Sequence, residues 1–323
     1  MKKPIIDMHC DTISEALDGK HIRDMEGTHI NLQKLREGGS LVQCFALFIR
    51  THRQMERRGW TYTPYEYYKL ILKAFQDEMA ANADLITQVR SYDDIMAGKD
   101  SGKLMALLTV EDAACVEGKM EHIDEFYNDG VRLMSLTWNY ENCIAFPNSK
   151  DPMLHNTLGL KPFGFEAVEK MNELGMIVDV AHLSERGFWD VLETSKKPIV
   201  DSHACARALC SHPRNLTDDQ LKALGDKGGL IGINFCGGFL EDDNWTDSKI
   251  DTVVKHMCHI ADKAGVDSLG WGSDFDGIDE ALEWKDAAGM PVLVDALSKH
   301  FTDDELDKIC YKNFLRVFKE NEK

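Results

Sequence analysis

Short apolar runs rich in Val, Ile, Leu and Phe recur at eight places along the chain: residues 4–8, 41–49, 104–110, 131–137, 176–181, 198–203, 229–235 and 269–274. Most are apolar nearly throughout rather than alternating, the pattern of strands covered on both faces. Between them lie longer segments of helical period, near 63–90, 119–129, 163–174, 184–195, 217–227 and 249–265, with 292–300 and 303–319 after the last run. Ser184 ahead of Glu185-Arg186-Gly187-Phe188-Trp189 reads as a helix cap, and Thr217-Asp218-Asp219-Gln220 as a capping box. Gly225, Gly228 and Gly229 close that second helix before the seventh strand.

Eight such strands, each followed by a helix, predict an α/β protein with a parallel sheet. The economical closed form is the (β/α)8 TIM barrel of about 250 residues plus decoration; a doubly wound open sheet is the rival. There is no internal repeat, low-complexity tract or Pro/Gly-rich linker, so residues 1–323 are expected to form a single barrel domain. The longest irregular stretch, 139–162, follows the fourth strand and is a candidate lid.

The polar residues favour the barrel. His9 and Asp11 end the first run, Glu111 the third, His182 the fifth, His203 the sixth and Asp274 the eighth. Reactive groups of a barrel gather at those carboxyl ends. Residues i and i+2 of a strand share a face, so His9 and Asp11 point to one place and Cys10 points away. Singly, each residue has a plain structural reading: a satisfied core histidine, a helix-cap carboxylate, a turn aspartate. Their joint placement is what those readings leave unexplained.

Together His9, Asp11, Glu111, His182 and His203 make a donor set suited to two metal ions. Imidazole and carboxylate suit zinc, and also manganese, iron or cobalt. Glu111, with two oxygens, could bridge a His9–Asp11 site and a His182–His203 site. Ions about 3.5–4 Å apart can share a hydroxide and polarise a carbonyl, which is amide-hydrolysis chemistry. Asp274 suits general base and then general acid work, and only it, not Asp276, is expected to reach the centre, because Gly277 marks the strand's end. Arg214, on the loop after strand six, could clamp a substrate carboxylate. His256 and His259, one turn apart on a helix, are expected to be solvated, and His212 to order its loop.

Charge narrows the partners. With 37 Lys+Arg against 55 Asp+Glu the formal net charge is −18, which argues against nucleic acid and anionic membrane. No apolar run approaches the roughly 18 residues of a membrane span. Met1-Lys2-Lys3-Pro4 runs into the first strand without a signal-type segment, so a cytoplasmic location is expected. Nine cysteines without a Cys-x-x-Cys pair read as reduced and mostly structural.

These residues sit in motifs that resemble the membrane (renal) dipeptidase family of M19-type metallopeptidases, in its soluble bacterial form. The motifs are Asp7-Met8-His9-Cys10-Asp11-Thr12, Gly130-Val131-Arg132 with Leu136-Thr137, Asp179-Val180-Ala181-His182-Leu183-Ser184, and Ser202-His203 with His212-Pro213-Arg214-Asn215-Leu216-Thr217. Gly228-Gly229-Leu230-Ile231-Gly232-Ile233-Asn234-Phe235 and Gly272-Ser273-Asp274-Phe275-Asp276-Gly277 complete them. The resemblance implies a (β/α)8 barrel with two Zn2+ per chain and hydrolysis of dipeptides, including L-Xaa-D-Xaa, through a metal-bridging hydroxide. It implies His9 and Asp11 on one zinc, Glu111 as the bridge, and His182 and His203 on the other. It puts Arg214 on the substrate's carboxylate and Asp274 near its amine, and makes a homodimer plausible. One position departs: mammalian members carry a histidine directly after Leu-Thr of strand four, where this chain has Trp138. Trp138 could donate a hydrogen bond to the substrate, Asn139 or Tyr140 could replace it, the metals could act unaided, or Trp138 could be pocket wall. The alternative on the same scaffold is hydrolysis of N-acyl amino acids, cyclic amides or lactones; a barrel that has lost its metals and only binds is the reading from another class.

Overall fold

The computed structural model describes residues 3–323. Eight parallel strands form its centre: β1 (Ile5–Asp7), β2 (Ser40–Phe48), β3 (Leu104–Glu111), β4 (Val131–Ser135), β5 (Ile177–Asp179), β6 (Val200–Ala204), β7 (Leu230–Ile233) and β8 (Leu269–Trp271). Each pairs with the next, and β8 returns to β1 through Trp271 and Asp7, closing a (β/α)8 barrel. All eight runs read from the sequence are therefore barrel strands, and the open-sheet rival is excluded.

The barrel interior follows strand parity. Val42 and Cys44 of β2, Met105 and Leu107 of β3, Leu133, Ile177, Val200 and Leu230 form one buried cluster. Phe314, Val317 and Phe318 of the C-terminal helix (Asn313–Asn321) join it and plug the barrel at the strands' amino ends. The opposite strand faces bury against the surrounding helices in a larger cluster that includes Phe45, Leu108, Val178, Ile231 and Trp271. Continuing the inner parity of β3 from Met105 through Leu107 and Thr109 brings Glu111 to the open, carboxyl end.

Ser184 and Thr217 cap their helices as the sequence predicts, Thr217 and Gln220 forming a reciprocal capping box. The helix expected over 63–90 stops earlier. It spans Pro64–Ala81, its end held by Asn82 Nδ2 donating to the Glu78 carbonyl at 2.9 Å. Ile86–Val89 instead forms an extra parallel strand on the first half of β3, an edge left open because β4 pairs only with the second half. The loops after β2, β4 and β7 hold short helices at His52–Arg57, Pro152–Thr157 and Gly237–Leu240, the second of them within the irregular stretch 139–162.

His256 corrects another expectation. It is fully buried, its Nδ1 accepting the Ala206 amide at 3.1 Å and its Nε2 paired with the Leu240 carbonyl at 2.8 Å. His259 is not free either, since its Nε2 lies 2.7 Å from Asp218 Oδ1. Among the described residues no helix is long and apolar enough to cross a membrane.

Candidate metal centre and active site

Glu111 stands at the middle of the open barrel end, buried, with its two oxygens facing different partners. Oε2 lies 3.6 Å from His9 Nε2, whereas Oε1 lies 3.0 Å from His182 Nε2 and 3.7 Å from His203 Nε2. Asp11 Oδ2 and Asp274 Oδ1 approach the same His9 nitrogen at 3.5 and 3.7 Å. The six residues expected at strand ends thus converge within one small volume.

Local backbone departures aim several of these groups. The β6–β7 register shifts between Asp201 and Ala204, and this bulge lets Ser202 and His203 both face the centre. His182 and Asp274 sit at φ values of 67° and 61°, a left-handed turn that bends each away from strand geometry. His182 is held there by Asn148, whose backbone N–H donates to the His182 carbonyl at 2.7 Å. Asp276 is committed elsewhere: it accepts Thr12 Oγ1 at 2.6 Å and the backbone amide of His29. Cys10 donates its thiol to the Cys44 carbonyl at 3.3 Å.

The outer nitrogens of two histidines are already spoken for. His203 Nδ1 lies 2.7 Å from Ser202 Oγ, whose own proton goes to Asp179 Oδ2 at 2.6 Å, so the ring donates to the serine. His182 Nδ1 lies 3.1 Å from Asn139 Oδ1. Both rings then turn an Nε2 lone pair inward, and those nitrogens face each other at 3.1 Å. Burial, with Arg214 and His9 adding to it, holds both well below the usual imidazole range. Two inward lone pairs at that distance repel each other, and a cation between or beside them relieves that repulsion.

Electrostatics say the same of the other half. Burial lowers His9, but Glu111, Asp11 and Asp274 outweigh it and raise it to about 10. Burial pushes Glu111 well up, and it pushes Asp274 up to about 7 with His9 opposing and Asp11 adding. His9 Nε2 and Asp11 Oδ1 are buried without any hydrogen-bond partner. A cluster of carboxylates and lone pairs that must otherwise collect protons fits divalent cations. His9, Asp11 and Glu111 could hold one, and Glu111, His182 and His203 another. Proximity also groups His9 with Glu111 and His203, whose ring stacks on His9 at 3.9 Å, and His9 with Asp11 and Asp274.

A cleft of about 680 Å³ opens over this cluster. Trp138 and Asn139 line it, and Trp138 packs edge-on against Phe48 at 4.9 Å. Tyr140 is 57% exposed and stands outside the lining. Arg214 is not in the lining either. Its guanidinium is enclosed behind the His182–His203 wall, with Nη2 donating to the His203 carbonyl at 2.7 Å and Nη1 3.7 Å from Asp201. Its Nε is left without a partner.

The pattern of the membrane dipeptidase family, peptidase family M19, matches residues 1–323. The chain belongs to this family. It is accordingly a metal-dependent dipeptidase by class. It is 36% identical over 250 residues to an uncharacterized Klebsiella pneumoniae protein from the pqqA 5′ region, covering 75% of this chain and 91% of that one. A protein of Schizosaccharomyces pombe named as an uncharacterized dipeptidase is 29% identical, covering 91% and 73%. A Rhodobacter sphaeroides metallopeptidase, solved with a phosphinate mimic of the dipeptide L-Ala-D-Ala, superimposes with a TM-score of 0.90 over 99% of this chain and 100% of that one, at 22% identity.

Three supporting residues of this family member escaped the sequence reading. Asp179 and Ser202, like Asn234, lie inside the quoted motifs, three residues before His182 and one before His203 respectively. Asn234, on the inner parity of β7, donates its amide to Asp274 Oδ2 at 3.1 Å. A polar residue closing an apolar run, the signal used for the histidines, marks it too.

Proposed function

We propose that residues 1–323 act as a single barrel domain that hydrolyses dipeptides with two zinc ions, one held by His9, Asp11 and Glu111 and one by Glu111, His182 and His203. The observation that carries this reading is the division of the Glu111 oxygens between His9 and the His182–His203 pair. When bound, two such cations would supply Lewis acidity for the scissile carbonyl and would lower the pKa of the attacking water so that it reacts as hydroxide.

The chain's own groups do the rest. Asn234 ties up Asp274 Oδ2, so Oδ1 is the oxygen that faces His9 and the reacting atoms. Asp274 Oδ1 takes the proton of the attacking water and delivers it to the leaving amine. The guanidinium of Arg214, held by the His203 carbonyl and the Asp201 carboxylate with only its Nε unpartnered, puts positive charge behind the β6 side, toward which the substrate's terminal carboxylate is drawn. Trp138 forms the cleft wall with Phe48, and Asn139 serves His182 Nδ1 as well as the cleft. The Rhodobacter sphaeroides protein's L-Ala-D-Ala mimic supports including a D-residue at the carboxyl end.

The test is a panel of L-Xaa-D-Xaa and L-Xaa-L-Xaa dipeptides with zinc-loaded protein and metal analysis alongside. Hydrolysis abolished by a chelator, with close to two zinc ions per chain, is expected. Turnover of N-acyl amino acids, cyclic amides or lactones with no dipeptide cleaved overturns the reading.

A further inference from the structure

The cleft over the centre is lined by the carboxylates of seven residues, from Asp11 to Glu280, and by one guanidinium, that of Arg50. Arg50 follows Phe48 and Ile49 at the carboxyl end of β2. Its Nε donates to the Tyr67 hydroxyl at 3.1 Å, and Tyr67 is fully buried on the helix Pro64–Ala81. That bond anchors the stem of the side chain. The two Nη groups have neither a hydrogen bond nor an ion pair among the described residues.

Neighbouring carboxylates do not neutralise it. Asp18 is engaged by both Nη groups of Arg58, and Glu15 pairs with Lys20. An arginine placed at a concave, strongly acidic surface and left with its planar fork unpaired is a ready site for a carboxylate that arrives with a ligand. Arg214 does not duplicate it. Strands β2 and β6 lie four apart in a ring of eight, so the two arginines stand on opposite sides of the barrel mouth.

We propose that Arg50 recognises a second carboxylate on the substrate, so that this enzyme prefers dipeptides carrying an Asp or Glu side chain. The inference rests on the dipeptidase reading. With Asp11 and Glu111 assigned to the metals, the lining still carries the carboxylates of Glu15, Asp274, Asp276, Asp279 and Glu280, which disfavour an acidic side chain unless Arg50 offsets them.

The experiment compares each acidic dipeptide with its uncharged isostere: Ala-Asp with Ala-Asn, and Asp-Ala with Asn-Ala, in L,L and L,D forms. The quantity read is the ratio of kcat/KM within each protein, which does not depend on the fraction of active enzyme. In the native protein at least one acidic member is expected to exceed its isostere by about tenfold or more. Arg50→Met is expected to bring that ratio to about one, and Arg50→Lys to retain part of it. A native ratio near one overturns the proposal, as does a preference that survives Arg50→Met. An equal loss on acidic and neutral dipeptides overturns it too, since Arg50 would then serve the terminal carboxylate or the loop. If no dipeptide is cleaved, the dipeptidase reading fails first and this one with it.

Discussion

Asp179 Oδ2 accepts the Ser202 hydroxyl at 2.6 Å. The contact is fully buried, and the same carboxylate also takes the Ser202 amide at 2.9 Å and the Ser135 hydroxyl at 3.0 Å. With its own proton spent on Asp179, Ser202 can only accept from His203 Nδ1. One carboxylate at the end of β5 thereby sets which nitrogen of a β6 histidine faces the centre.

Replacing Ser202 with alanine removes the acceptor and frees His203 to place its proton on Nε2. Metal affinity is expected to fall by about 10–100-fold, the usual effect of losing such a supporting partner. Chelator competition measures it. An unchanged dissociation constant would show that His203 needs no such orientation.

Gly277 follows Asp276 at the exposed rim of the cleft, where an added Cβ would collide with Asp11 Oδ2 and Asp274 Oδ1. The position is outside the core, so Gly277→Ala is expected to leave the melting temperature of the metal-free protein within about 2 °C of native. Displacing either carboxylate by even a fraction of an ångström disturbs the reacting geometry, and kcat is expected to drop by about tenfold or more. A variant with native kcat would mean the two carboxylates have room to move.

Much of this architecture was legible because burial and chemistry leave the same mark. An apolar run ending in His, Asp or Glu located β1, β3, β5, β6 and β8 and the residues at their tips together. The signal fails where a neighbour decides. Ile86–Val89 is a strand only because β3 offers an open edge, which no local pattern announces. His256 looked solvated because its helix was read alone, whereas the Ala206 amide and Leu240 carbonyl come from distant loops. Arg50 carries the same end-of-run mark as the histidines, but it precedes a segment without periodicity. Arg214 was legible as a cation near the site, not as one enclosed behind it.

His256 also gives a pH dependence. Burial lowers it from its ordinary 6.5 to about 4, because a charged ring could neither keep the Ala206 amide as donor nor stay dry. Between those values the unfolded chain binds a proton that the folded chain refuses, so stability falls as pH drops from about 7 to 4. The contribution is about 3 kcal/mol at full effect. Urea unfolding at pH 7.5 and 5 is expected to show a smaller stability loss for His256→Gln than for the native protein. Equal losses would place the acid sensitivity elsewhere.

Asp274 distinguishes proton carrier from ligand. It lies 3.7 Å from His9 Nε2, close enough to share a cation with His9 and Asp11, yet Asn234 holds one of its oxygens back. If it carries the proton, Asp274→Asn keeps the shape and the Asn234 contact but removes the base, and kcat is expected to fall by about 10²–10⁴-fold with two metals still bound. A variant that retains a single metal would make Asp274 a ligand instead. Metal content and kcat must therefore be measured on the same preparation, because loss of turnover alone fits both roles.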